Sequence, residues 1–107
     1  MAKDKLYIEH ILESIAKIEK FIHNLDLDSF GKNDLVQSAV MRELEIIGEA
    51  AKKISDEFKN EHSGIVWKQI AGMRDKLAHD YFEIDVGAVW KTAKEDLLNL
   101  KTDLTKK

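Results

Sequence analysis

Arg74, His79 and Tyr81 stand in one short run, Gly72-Met73-Arg74-Asp75-Lys76-Leu77-Ala78-His79-Asp80-Tyr81. Between them they supply a permanent cation, a group that exchanges protons near neutral pH, and a phenol. A guanidinium keeps its proton and matches a phosphate with parallel hydrogen bonds, so Arg74 suits the charge that grows in phosphoryl transfer. An imidazole with an unperturbed pKa of about 6.5 can act as general acid or base, for roughly 10²- to 10⁴-fold in rate. Together they suit cleavage of RNA, in which the substrate's own 2′-hydroxyl is the nucleophile and no metal is required. Lys68 and Lys76, close by in sequence, can add attraction for the backbone. On a helical wheel Arg74 falls inside an apolar arc of Trp67, Ile70, Ala71, Leu77 and Ala78, where a permanent charge needs an anionic partner or a ligand-lined cleft. Taken alone, the spacing also fits an arginine and a histidine with purely structural roles.

Other chemistries are poorly supplied. The chain of 107 residues has no cysteine and no proline, so it offers neither a disulfide framework nor a thiolate metal site. His10, His23, His62 and His79 are scattered without paired ligand spacing, which leaves no metal site and implies no cofactor. No Ser-centred turn motif suggests nucleophilic catalysis. The formal net charge of -3 argues against a broad basic surface, so any phosphate site must be a local concentration of Arg and Lys. The opening segment is interrupted by Glu9, His10, Glu13 and Lys17, unlike a signal sequence or a membrane span. A cytoplasmic location is expected.

The elements that must position the motif are helical. Ile8, Ile11, Ile15, Ile18, Ile22 and Leu25 form a narrow seam and predict a first helix over residues 4–25. Asp26 to Asn33 reads as a connection with room for one helical turn, anchored by Phe30 and ending on Asn33 as a cap. A second helix is predicted over 34–58 from Val36, Val40, Leu44, Ile47, Ala51, Ile54 and Phe58, with Ala39, Ile46 and Ala50 widening its face. Gly48 in its interior marks a close approach by another backbone or a ring. Glu43 falls inside the apolar arc, whereas Arg42, Glu45 and Glu49 share another face, and either set can face Arg74. After the turn at 60–64, a third helix from near Ile65 carries the motif and ends near Asp80 to Glu83. Asp85 then caps a fourth, with Val86, Val89, Trp90, Ala93, Leu97, Leu100 and Leu104 as its stripe. No strand pattern or repeat appears, so residues 1–107 read as a single all-α domain, an up-and-down antiparallel bundle of four main helices. Such a small core favours a homodimer that buries residues such as Ile46 and Ala50 against a twin.

Arg74, four residues, His79, one residue and Tyr81 match the Arg-x-x-x-x-His-x-Tyr motif of the HepT-like toxins, a branch of the HEPN superfamily of small helical ribonucleases. The resemblance extends over nearly the whole chain. Residues 42–51 resemble the family's long second helix, residues 67–73 its approach to the motif, and the stretch from Ile84-Asp85 through Val89-Trp90 its last helix. The resemblance implies an HEPN-like bundle, a homodimer with its cleft at the interface, and metal-independent RNA cleavage by a type VII-like toxin. By it Arg74 and His79 are carried over as catalytic, with Asp75 as the polar residue after the Arg; Lys76 is a supporting residue by its charge and its place beside the motif. It further implies a cognate minimal nucleotidyltransferase as antitoxin, which transfers AMP from ATP to Tyr81. The chain departs from the family in having Asp75 where Asn is frequent, which sets a negative charge beside the phosphate site, and Val66 where a proline is frequent. The competing reading is a non-catalytic helical dimer that binds a nucleotide or a partner, with Arg74 ion-paired to Glu45 or Glu49.

Overall fold

The structure, a computed structural model, describes residues 2–77 and 84–106, so His79 and Tyr81 lie outside the described residues. The first long helix, α1 (Ala2–Phe21), turns Ile11, Ile15 and Ile18 fully inward. Burying a side chain of that size is worth about 1.5–3 kcal/mol. A five-residue helix, α2 (Leu27–Gly31), follows under a capping box in which Asp26 accepts from the Ser29 N–H at 2.8 Å. It delivers Phe30 to the core, with its ring centroid 5.2 Å from that of Trp90. Asn33 accepts from the Val36 N–H at 3.0 Å and starts α3 (Asp34–Lys53), as its residue type suggests.

The second long helix stops short of the predicted Phe58. Ile54 is extended, and the Ser55 hydroxyl accepts from the Phe58 N–H at 3.1 Å to start a separate short helix, α4 (Asp56–Glu61). The Ser-Asp-Glu at 55–57 is an N-terminus signal that the spacing of Ile54 and Phe58 masks. The break is held from a distance. Both carboxylate oxygens of the buried Asp4 accept from Ser55, one from its N–H at 2.8 Å and one from its hydroxyl at 2.6 Å. This ties the start of α1 to the end of α3, so the two helices pack antiparallel.

Over the described residues the third predicted helix is two short ones, α5 (Trp67–Ala71) and α6 (Met73–Leu77), interrupted at Gly72, and its predicted end near Asp80 to Glu83 lies outside the described residues. Beyond residues 78–83 the Asp85 N–H donates to the Leu77 carbonyl at 3.0 Å, and the Asp85 side chain caps α7 (Val86–Lys91). The chain continues through a π-helical turn over Thr92–Asp96 into α8 (Leu97–Thr105). Val89, Ala93, Leu97 and Leu100 are buried, as their stripe requires. α3 packs on α1, α5 and α6, while the last helical run packs on α1 and α2. The expected all-α bundle is therefore observed, its four main helices being α1, α3, the α5–α6 pair and the run from α7 to α8.

Candidate active site

The site is built where α3 passes α5 and α6. A Cβ placed on Gly48 would lie 3.0 Å from the Ala71 carbonyl oxygen and 3.5 Å from that of Ile70, so the glycine lets α5 seat its C-terminal carbonyls against α3. One turn back along α3 and three residues on from Ala71 lie Glu45 and Arg74. Arg74 Nε is 3.2 Å from Glu45 Oε2, and Arg42 Nη1 is 3.5 Å from Glu45 Oε1. Asp75 adds a longer contact, its Oδ1 3.7 Å from Arg74 Nη1. One carboxylate thus stands between two guanidinium groups.

The apolar setting expected for Arg74 is not observed. An inward Arg74 requires one continuous helix, and the interruption at Gly72 breaks it; the Arg74 side chain is 49% exposed and its partner Glu45 38% exposed. Exposed pairs of this kind contribute only about 0–1 kcal/mol each, so a better anion can take the guanidinium. Of the acidic candidates, Glu45 is the one that meets Arg74. Glu49 pairs with Lys52 at 3.2 Å, and Glu43 is buried, its Oε1 lacking a hydrogen-bond partner among the described residues.

Lys76 does not join Arg74. It lines a groove of about 620 Å³ on another side of α6, between α5–α6 and the last helical run, together with Ile65, Met73 and Asp96. A second groove of about 340 Å³ runs between α1 and α3 past Tyr7, His10, Arg42, Glu45 and Ile46. Of the two residues expected to meet a twin, Ile46 is half-buried in this groove. Ala50 lines the same groove and is buried. His79 and Tyr81 belong to residues 78–83, outside the described part of the chain. Among the described residues no three His, Asp or Glu side chains gather into a possible metal site, and no helix is long and apolar enough to cross a membrane.

The Asp4 clamp is a buried polar feature that periodicity could not reveal, since its partner is 51 residues away. The Ser55 hydroxyl, and then the Ser55 N–H, hold the Asp4 carboxyl below the ordinary value of 3.8. The Ser29 N–H and hydroxyl lower Asp26 in the same way. Both groups serve helix ends rather than the Arg74 cluster.

The sequence profile of the ribonuclease HepT-like family matches residues 11–106. A protein of Thermococcus cleftensis named "Probable ribonuclease HepT" is 48% identical over 97 residues, covering 91% of this chain and 88% of that protein. A "Putative RNase" of Caldanaerobacter subterraneus subsp. tengcongensis is 38% identical over 101 residues, covering 94% and 90% of the two chains. A Methanocaldococcus jannaschii protein named as a gamma-glutamylcyclotransferase and putative RNase is 43% identical over 107 residues, covering 99% of this chain but 48% of its own length. No solved structure matches the chain.

Proposed function

Because the chain belongs to the HepT-like ribonuclease family, we propose that it is a metal-independent endoribonuclease, the cytoplasmic toxin of a type VII-like toxin–antitoxin pair. The observation that carries this reading is Arg74, a half-exposed guanidinium held at the crossing of α3 and α6 by carboxylates weak enough for a phosphate to displace. Arg74 clamps the scissile phosphate and stabilises its developing charge. A base takes the proton of the RNA 2′-hydroxyl, whose oxygen attacks phosphorus. The bond to the 5′-oxygen breaks, a cyclic phosphate forms, and the leaving oxygen is protonated. His79 supplies one of these proton transfers. Asp75, 83% exposed and 3.7 Å from the Arg74 fork, weakens the local positive potential only slightly because solvent screens it. Lys76 contributes at longer range.

In this reading two chains form a homodimer across the outer face of α3, with Ile46 at the contact and two Arg74 groups lining one cleft. The cognate nucleotidyltransferase silences the site by placing AMP on Tyr81. The test is incubation of purified chain with RNA, with and without EDTA, beside His79→Ala. Cleavage that survives chelation and is lost in the variant supports the proposal; cleavage abolished by chelator alone, or unchanged in the variant, refutes it. The Arg74–Glu45 pair also favours a second reading, a non-catalytic helical module in which the arginine is merely anchored. A pure, folded chain that binds RNA and never cuts it would establish that alternative.

A further inference from the structure

We infer that Arg42 and Arg74 together form a phosphate site that Glu45 occupies when no RNA is bound, and that an RNA phosphate enters by displacing the Glu45 carboxylate. The inference rests on the ribonuclease reading and adds to it a second phosphate ligand and an internal competitor. Its basis is the division of one carboxylate between two cations: Oε1 lies 3.5 Å from Arg42 Nη1 and Oε2 lies 3.2 Å from Arg74 Nε. A phosphodiester likewise shares one negative charge between two oxygens on one atom, so it can replace the carboxylate between the same two groups. Neither cation is locked away, since the Arg42 side chain is 70% exposed and the Arg74 side chain 49%.

The two arginines are mounted differently. Arg42 and Glu45 lie one turn apart on α3, whereas Arg74 reaches the carboxylate from α6. A shift of the Glu45 side chain therefore opens the space between the guanidinium groups without moving either helix. The carboxylate imposes a competition in which apparent affinity scales with the fraction of chains that have released Arg74. It also keeps the two cations together while the site is empty.

The test uses a short RNA methylated at every 2′-oxygen, which lacks the nucleophile and cannot be cut, with binding read by fluorescence anisotropy across a salt series. Glu45→Gln, which keeps the shape and removes the charge, should bind about 3- to 10-fold more tightly than the unaltered chain. Arg42→Gln and Arg74→Gln should each bind more weakly, and each should reduce the slope of log affinity against log salt by about 0.7. Arg42→Lys should fall between the unaltered chain and Arg42→Gln, because it keeps charge without the planar fork. Matching thermal melts show that the folds are comparable. Unchanged or weaker binding by Glu45→Gln overturns the internal competitor, and unchanged binding by Arg42→Gln overturns the two-arginine site. Failure of the unaltered chain to bind the probe overturns both. Unmodified RNA assayed in parallel separates this inference from the nuclease reading. Probe binding with the expected pattern but no cleavage refutes the nuclease and leaves the site standing, while cleavage without the Glu45→Gln gain refutes the internal competitor alone.

Discussion

Gly48 and Ala71 meet backbone to backbone, and their contact sets the register in which Glu45 finds Arg74. With a Cβ on Gly48 only 3.0 Å from the Ala71 oxygen, a methyl there must push α5 away from α3. Ala is favoured over Gly inside a helix by up to about 1 kcal/mol, but crowding a packed backbone costs roughly 1–3 kcal/mol. Gly48→Ala should therefore be destabilising on balance, by about 1 kcal/mol or more in urea denaturation. Its loss of RNA binding should exceed what that stability change implies, since Arg74 moves with α5 and α6. An Ala variant more stable than the original would show that α5 yields at no cost.

Arg74→Ala and His79→Ala should each reduce cleavage by about 10²- to 10⁴-fold. Their combination should cost little more than the worse single change, because both residues act on one step. Single-turnover assays in EDTA check this. Additive losses would mean that the two side chains act on separate events.

Removing the Asp4 carboxylate should unfasten α4 from α1. The Asp4 pKa is lowered by the Ser55 hydroxyl and N–H, so its stabilisation is fully present above 3.8 and is lost as pH falls below that value towards the depressed folded-state pKa. Asp4→Asn should melt below the original chain at pH 7, and the difference should shrink in strongly acidic buffer, where both chains lack the charge. Asp26 follows the same sign, so the acid limb persists in the variant. A constant difference across the pH range would assign the effect to packing instead.

The mass in solution should be twice the 12.3 kDa of one chain by light scattering at micromolar concentration. Ile46→Glu, which sets a charge on the half-buried outer face of α3, should shift the population towards monomer and reduce cleavage. A dimer indifferent to that change would place the contact elsewhere.

Coexpression with a cognate minimal nucleotidyltransferase should add AMP to Tyr81 and stop cleavage without lowering the melting temperature. The added phosphate brings negative charge to Arg74, and the adenosine takes space the substrate needs. Tyr81→Phe should keep its activity and stay unmodified by peptide mass spectrometry. Full activity in stoichiometrically modified protein would refute this control.

Local chemistry and apolar period were enough to determine several features from sequence alone. The seam of Ile11, Ile15 and Ile18 can be buried only on one side of a helix, and the caps at Asn33 and Asp85 act over three residues. Gly48 was legible as a close approach for the same reason, because a glycine inside a strong helix costs stability unless a neighbour needs the space. What tertiary structure decided lies where two segments distant in sequence must meet. The end of α3 at Lys53 depends on Asp4 reaching Ser55, and the apolar spacing of Ile54 and Phe58 continues across that break without registering it. Likewise the apolar period of residues 67–78 places Arg74 inward, whereas the interruption at Gly72 leaves it half in solvent. The choice of Glu45 over Glu43 and Glu49 as its partner follows from the register between α3 and α6, which a one-dimensional pattern does not encode.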